Sequence, residues 1–249
     1  MAATADLCGF LLARGNSKVG KDIFTFSLPA VATCPGRSRL CAKACYARKG
    51  YYRFHSTIRA FERHLKAARR PDFCKRMIWE ITARKAKVVR IHAAGDFFSA
   101  KYVAAWVKIC RATPQVRYFA YTRSHSIPSI LEQIEVLATL PNVRMFYSFD
   151  RETSLPIHIP DMVRTAYMMV DEHDVPTPWT DLVFHDYPLR KEARKYESGV
   201  LVCPAENGIT HVQCDKCKLC WNDLTVSDPR RLIRPATRST RRIALELVS

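Results

Sequence analysis

Residues 88–96 (VVRIHAAGD) decide the fold, because a short β-branched run ends there in a Gly-Asp turn and a helical pattern follows at 99–112. A strand that leads through a turn into a helix is the repeating unit of parallel α/β sheets. Further strand patterns lie at 23–28, 116–121, 143–149, 163–170 and 199–203, and helical patterns at 56–70, 73–85 and 127–140, with Asp72 and Ser99 as candidate N-caps. This order predicts an α/β fold in which helices cover a parallel sheet, either open or curled into a partial (β/α) barrel.

The charge balance of the chain points to a polyanionic partner. The 249 residues include 40 Lys+Arg and 23 Asp+Glu, which gives a net charge of +17, and 48% are hydrophobic, so a packed core is expected. Such an excess favours nucleic acid first and an anionic membrane surface second. No apolar run approaches the roughly 20 residues that a spanning helix needs. The first residues also lack a signal-peptide pattern, so we expect a cytoplasmic protein with no membrane segment.

The chain has 10 cysteines, and in a reducing cytosol such a number more often serves metal binding or redox chemistry than disulfides. Cys74 and Cys110 lie at apolar positions of helical patterns, so we predict that they are buried as small apolar residues. Cys8 also stands alone. The first cysteine group is Cys34, Cys41 and Cys45. The second cysteine group is Cys203, Cys214, Cys217 and Cys220.

The second cysteine group has the more specific spacing. Cys214, Cys217 and Cys220 form C-x2-C-x2-C, and Cys203-Pro204 precedes them. Four thiolates suit either tetrahedral zinc or a [4Fe–4S] cluster. Structural zinc sites usually use two separate C-x2-C pairs, whereas a shared middle cysteine is typical of the ferredoxin run. A [4Fe–4S] cluster is therefore the favoured cofactor, and zinc is the alternative metal.

The first cysteine group supplies three thiols with no local fourth. On a [4Fe–4S] cluster, three ligands leave one iron open for another cysteine, a substrate or S-adenosylmethionine. The alternative is a structural zinc or a cluster that a remote residue, such as His55 or Cys8, completes. The spacing C-x6-C-x3-C differs from the C-x3-C-x2-C of ordinary radical S-adenosylmethionine enzymes, which puts cleavage of that cosubstrate in doubt.

Polar residues follow the carboxyl ends of the predicted strands, where α/β folds gather functional groups. Gly95 and Asp96 follow one strand, Arg123 the next, and Asp150 the one after. We expect these loops to share one edge of the sheet with the first cysteine group. Asp96, Arg123 and Asp150 are the candidate catalytic residues, and Gly95 and Asp96 are candidates for contact with a cosubstrate. The simpler interpretation is that Asp96 only caps the next helix and Asp150 only caps a turn.

The positive charge is segregated along the chain. Residues 37–90 contain 17 Lys+Arg and three acids, and residues 229–242 contain six arginines and no acid. Aromatic rings interleave with the basic residues at Tyr46, Tyr51, Tyr52, Phe54 and His55. This pattern is typical of surfaces that stack bases and bind phosphates. The alternative is a solvated basic face with aromatic rings packed underneath. The candidate nucleic-acid contacts are Arg48, Lys49, Tyr51, Tyr52 and Arg53, together with Arg230, Arg231 and Arg234 in the arginine tail.

Several segments together resemble the "gene product 88" family of phage and plasmid proteins. They are 24–30 (FTFSLPA), the 34–50 loop ending in ACYARKG, 90–98 (RIHAAGDFF), 121–123 (YTR), 146–150 (FYSFD) and the closing CPAENG and CDKCKLCW. The resemblance covers roughly residues 23–225. It implies a partial barrel similar to the radical S-adenosylmethionine fold, with cysteine-bound iron–sulfur chemistry.

The sequence predicts two structural units, an N-terminal domain and a C-terminal module, and favours one function. Residues 1–198 would form the α/β partial-barrel domain, and 199–249 a cysteine-rich cluster module with a basic tail. The leading expectation is an iron–sulfur protein that binds nucleic acid, DNA or RNA. One alternative is a radical S-adenosylmethionine-type enzyme that uses the first cysteine group. Another is a structural-zinc protein or a metal-dependent nuclease that uses Asp96, Asp150 or the acids of 171–174 (DEHD).

Overall fold

The structure is a computed structural model that describes residues 9–171, 173–177, 179–186, 201–205 and 212–222. These residues contain a seven-stranded sheet in the sequential order β1 to β7, with β1 antiparallel to β2 and every later pair parallel. The prediction of a parallel α/β sheet is thereby confirmed, and the sheet is open. The strands are β1 (Ala13–Asn16), β2 (Gly20–Phe26), β3 (Val88–Ile91), β4 (Arg117–Thr122), β5 (Val143–Phe149), β6 (Arg164–Met169) and β7 (Leu182–His185).

The four longer helices occupy the predicted segments, whereas the two short helices in the cysteine segments were not predicted. The helices are α1 (Arg39–Ala44), α2 (His55–Ala68), α3 (Phe73–Ala83), α4 (Ala100–Ala112), α5 (Pro128–Ala138) and α6 (Cys214–Cys217), with 3-10 turns at Tyr46–Arg48, Gly50–Arg53 and Ser124–Ser126. The predicted cap of α4 is present, because the Ser99 side chain accepts a hydrogen bond from the Tyr102 amide. The predicted N-cap position of α3 is correct, although the side chain there makes no capping hydrogen bond. The Asp72 carboxylate binds the Arg70 guanidinium instead.

The two faces of the sheet carry different layers. Along β4, Tyr118 and Ala120 pack into the large core that contains the apolar residues of α2 to α5, whereas Phe119 and Tyr121 point to the opposite face. Sequential parallel strands with right-handed crossovers place all their helices on one face. We call this the helix face. Cys110 is fully buried there and Cys74 partly buried, in line with the predicted apolar role of both.

The opposite face is covered by the two described pieces of the C-terminal segment, 201–205 and 212–222, and we call it the cysteine face. Leu219 and Cys203 pack with Phe146 of β5, and Cys214 and Trp221 pack near β2. The predicted strand at 199–203 is reduced in the described residues to one parallel bridge, between Val202 and Val183 of β7. The boundary at 198/199 stays a prediction, because it lies outside the described residues. No described helix is long and apolar enough to cross a membrane.

Gly20 determines how closely the C-terminal segment approaches the sheet. It has φ +85°, and a Cβ atom built on it would lie 2.0 Å from the Asp215 carboxylate. That carboxylate accepts a hydrogen bond from the Lys21 amide at 3.0 Å, while the Cys214 and Asp215 amides donate to the carbonyls of Lys18 and Val19. The turn between β1 and β2 thus anchors α6, and with it the cysteines of the C-x2-C-x2-C run.

Candidate functional site

Asp96 joins two of the loops at the carboxyl edge of the sheet. Its buried carboxylate accepts hydrogen bonds from the Thr122 hydroxyl at 2.7 Å, the Arg123 amide at 2.8 Å and the Phe97 amide at 2.7 Å. Burial raises the pKa of Asp96, although these hydrogen bonds act in the opposite direction. Gly95 has φ +80°, and a Cβ atom there would lie 2.6 Å from both Leu28 and Thr33. Asp96 and Gly95 therefore have structural roles in these loops, and contact of either residue with a cosubstrate stays a prediction.

Arg123 and Asp150 form a buried ion pair, with Nη1 and Oδ2 2.7 Å apart. The same carboxylate oxygen accepts a hydrogen bond from the Ser38 hydroxyl at 2.6 Å. Ser38 in turn caps α1 by accepting from the Cys41 amide at 2.8 Å. The three candidate catalytic residues therefore lie together, and Asp150 holds the loop of the first cysteine group against the sheet edge.

The thiols of the first cysteine group lie close enough to interact electrostatically. Burial raises the pKa of Cys34 to about 12, and the charges of Asp96, Cys41 and Cys45 raise it further. Burial also raises the pKa of Cys41, which the Arg123 guanidinium lowers in part. Burial therefore favours the protonated thiol at Cys34 and Cys41, and metal binding would have to displace these protons.

A pocket of about 470 Å³ opens beside the same loop. It lies within the usual size range of small-molecule sites. The walls come from the 34–38 turn, the 3-10 turn Ser124–Ser126, α5 and the loop after β5. Its lining residues are Pro35, Gly36, Arg37, Ser38, His125, Ser126, Leu131, Glu152, Thr153, Ser154, Leu155 and Pro156.

The second cysteine group gathers on the cysteine face. Cys203, Cys217 and Cys220 pack into one apolar cluster with Phe146, and Cys214 joins Cys220 in the neighbouring cluster. Burial raises the pKa of Cys220 to about 11, the hydroxyl of Tyr121 lowers it, and nearby Cys214 and Cys217 raise it. The spacing of these four cysteines in the sequence therefore corresponds to proximity in space.

Three arginines approach the second cysteine group from the sheet. Arg90 interacts electrostatically with Cys214, and Arg164 donates to the Leu219 carbonyl at 3.0 Å. Arg117 lies 6.0 Å from the Trp221 ring. The second cysteine group offers only sulfur donors, lies among apolar side chains and has three arginines nearby. This environment suits a bound group that, together with its thiolate ligands, has a net negative charge.

The described residues contain no group of three or more His, Cys, Asp or Glu side chains arranged to hold one metal ion. A zinc site needs four ligand atoms at about 2.0–2.3 Å from one point. In an iron–sulfur cluster each thiolate binds its own iron, so the thiols need not converge on one point. The four sulfur donors of the second cysteine group are of the chemical type that binds either an iron–sulfur cluster or zinc, and the identity of the bound group stays a prediction.

The 48–54 segment presents rings and cations to solvent. The Tyr51 side chain is 80% exposed and that of Phe54 55%, and the two rings meet edge to face. Arg48, Lys49 and Arg53 are exposed around them, with Lys49 also 3.4 Å from Asp186. We call Arg48, Lys49, Tyr51, Arg53 and Phe54 the basic–aromatic surface.

Tyr52 differs from its neighbours. Its ring lies between Tyr46 and Phe61, and burial raises its pKa to about 12. Of the two tyrosines proposed to stack on bases, the structure exposes Tyr51 and packs Tyr52. Phe54, which the sequence places among the interleaved aromatic residues, is exposed next to Tyr51 on the same surface.

Other candidates have local structural partners or lie outside the described residues. Asp171 pairs with Arg151 at 2.7 Å, and Asp174 accepts a hydrogen bond from the Tyr167 hydroxyl at 2.6 Å. Two of the three acids of 171–174 therefore have structural partners, and Glu172 lies outside the described residues. His55 is exposed at the start of α2. Cys8 and the tail arginines Arg230, Arg231 and Arg234 lie outside the described residues, and their roles stay predictions.

Comparisons with known proteins agree with this set of motifs. The family model described as "Gene product 88" matches residues 10–223. The chain is 28% identical over 208 residues to the "Gene 88 protein" of Mycobacterium phage L5, an alignment that covers 76% of this chain and 78% of the phage protein. It is 31% identical over 134 residues to the "Gene 88 protein" of Mycobacterium phage D29, covering 47% of this chain and 52% of that protein. No solved structure matches the chain.

Proposed function

The chain belongs to the Gene product 88 family, and on that premise we propose that it is a cytoplasmic iron–sulfur protein that binds nucleic acid through its basic–aromatic surface. The observation that carries nucleic-acid binding is the exposure of Tyr51 and Phe54 among three exposed cations. Contact of an apolar ring with water is unfavourable, so an exposed ring is stabilised by a partner that covers it. A nucleic-acid base can stack on such a ring while the adjacent phosphates bind the cations.

The basic part of the surface is tested by the salt dependence of binding. Changing Arg48, Lys49 and Arg53 to Ala should weaken the affinity for a labelled oligonucleotide. It should also flatten the plot of log K against log salt by about 0.7 to 0.9 for each lost phosphate contact. A matched control removes three exposed charges from α4, by changing Lys101, Lys108 and Arg111 to Ala. Binding that survives the first triple change would exclude this surface, and no binding at low salt would refute nucleic-acid binding altogether.

The aromatic part is tested by a single ring. Tyr51→Ala should cost roughly 1–3 kcal/mol of binding free energy on single strands and less on a duplex, where the bases are already stacked. Trp79 is also an exposed aromatic residue but lies on α3, so Trp79→Ala is the control. Fluorescence anisotropy gives both affinities. Equal losses for the two variants would contradict stacking by Tyr51.

The cluster is proposed from the donor chemistry of the second cysteine group. Cys214→Ser should lower the iron and sulfide content and the visible absorption of anaerobically purified protein, because thiolates hold the irons. Its solubility should fall as well, since assembly of such a site is linked to folding. Cys74 lies on the helix face, so Cys74→Ser should keep the colour. A colourless, stable protein with stoichiometric zinc would refute the iron–sulfur proposal.

We also propose that the open sheet is a partial barrel similar to the radical S-adenosylmethionine fold. The sequential order of its parallel strands supports this, since doubly wound sheets reverse their strand order. A second candidate function, a radical S-adenosylmethionine-type enzyme, is favoured by the pocket beside the first cysteine group. Its test is the formation of 5′-deoxyadenosine by the reduced protein with S-adenosylmethionine. No product from protein with an intact first cluster would exclude it.

A further inference from the structure

Tyr121 connects the sheet to the second cysteine group by a direct contact. Its hydroxyl donates to Cys220 Sγ at 2.8 Å. The ring is stacked on Phe146 with 4.6 Å between centroids and meets Phe184 edge to face at 5.2 Å. Packing against Phe146 and Phe184 fixes the orientation of the Tyr121 ring, so its hydroxyl stays within hydrogen-bond distance of Cys220 Sγ.

Arg90 lies beside Tyr121 and reaches toward the first cysteine group. Its guanidinium carbon is 5.7 Å from the centre of the Tyr121 ring. Its Nη2 donates to the Tyr46 hydroxyl at 3.4 Å, and Tyr46 directly follows Cys45 in the chain. Its Nε donates to the His92 carbonyl at 3.1 Å, which fixes the side chain. The cation therefore lies between Tyr121, which contacts the second cysteine group, and Tyr46, which follows Cys45 of the first.

We infer that Tyr121 and Arg90 tune the reduction potentials of clusters bound by the two cysteine groups. Tyr121 acts on the second group alone, and Arg90 acts on both. The inference rests on the proposed iron–sulfur function and deepens it. Reduction adds negative charge to a cluster, and a hydrogen bond to a ligand sulfur or a nearby cation stabilises that charge. Both residues therefore raise the potential, and they are positioning residues that need not touch a substrate.

The test for Tyr121 compares two phenols on the same strand. Tyr121→Phe keeps the ring stacking and removes only the hydroxyl from Cys220. Tyr118→Phe removes a hydroxyl that faces Thr113 on the helix face. Redox titration of the anaerobically purified full chain, followed by electron paramagnetic resonance, should show a tenfold shift toward the oxidised cluster in Tyr121→Phe. This corresponds to about 59 mV for one electron. Tyr118→Phe should leave the potential unchanged.

The test for Arg90 examines both signals. Arg90→Gln should lower the potential of each cluster, whereas Tyr121→Phe should lower only one. Cys34→Ser removes a ligand of the first cysteine group and so identifies the signal of the second. Unchanged potentials in Tyr121→Phe and Arg90→Gln, with full iron and sulfide content, would overturn the inference. Absence of iron and sulfide from the unmodified protein would instead refute the proposed function, so the two failures are distinguishable.

Discussion

The buried Arg123–Asp150 pair is predicted to be a main support of the site. Asp150 accepts four hydrogen bonds, from the Arg123 guanidinium at 2.7 Å, the Ser38 hydroxyl at 2.6 Å, the Glu152 amide at 2.9 Å and the Thr153 hydroxyl at 3.1 Å. Asp150→Asn removes the negative charge that pairs with Arg123. It also replaces one carboxylate oxygen, which accepts hydrogen bonds, by an NH2 group that faces these same donors. An unpaired buried charge costs about 3–5 kcal/mol of unfolding free energy. That is a large fraction of the roughly 5–15 kcal/mol that stabilises a typical domain.

The chain contains a matched control for this change. Arg151 and Asp171 are the same residue types at the same N–O distance of 2.7 Å, but their side chains are 48% and 39% exposed, against 7% for Arg123 and 0% for Asp150. Solvent screens the exposed pair, so Asp171→Asn should leave the free energy of unfolding nearly unchanged.

Urea denaturation followed by circular dichroism measures both losses, provided that the slope of free energy against urea is unchanged. Adding Arg123→Met to Asp150→Asn should recover part of the loss, because the unpaired cation is then removed as well. Equal losses for Asp150→Asn and Asp171→Asn would refute the claim that burial makes the first pair important.

Two other perturbations test the fold. Burial lowers the pKa of His92 to about 3 and that of His125 to about 4. Since the unfolded chain protonates near pH 6.5, stability should be fully present above that pH and fall as the pH drops toward 4. The loss at pH 5 is about 2 kcal/mol per histidine, and urea midpoints that are equal at pH 7 and pH 5 would contradict this. Gly20→Ala should destabilise the protein by about 1–3 kcal/mol, because the new methyl overlaps the Asp215 carboxylate. Gly50→Ala, at φ +55° with no atom within 4 Å, is the thermal-unfolding control, and an equal effect of the two would exclude the overlap.

The sequence alone determined the five central strands, the four longer helices and the membership of the sheet edge. Local patterns suffice for this, since a strand or helix depends mostly on neighbours a few residues away. Ser99 caps α4 through an amide three residues on, as its position predicts. The loops after β3, β4 and β5 share one edge because parallel strands all end there, which follows from the order of elements. By contrast, β1 and β7 are short, four-residue strands and were not predicted.

Only the tertiary structure decided which side chains surround the cysteines. The Tyr121–Cys220 contact joins residues 99 positions apart, and no periodicity of the sequence encodes such a pairing. Tyr51 and Tyr52 are adjacent and chemically identical, yet one is exposed and the other packs on Phe61. Both lie in the 3-10 turn Gly50–Arg53, where successive side chains point in different directions. The spacing of the second cysteine group indicated its chemistry. Its place on the cysteine face depends on how the C-terminal segment packs against β2 and β5, which is a property of the assembled sheet.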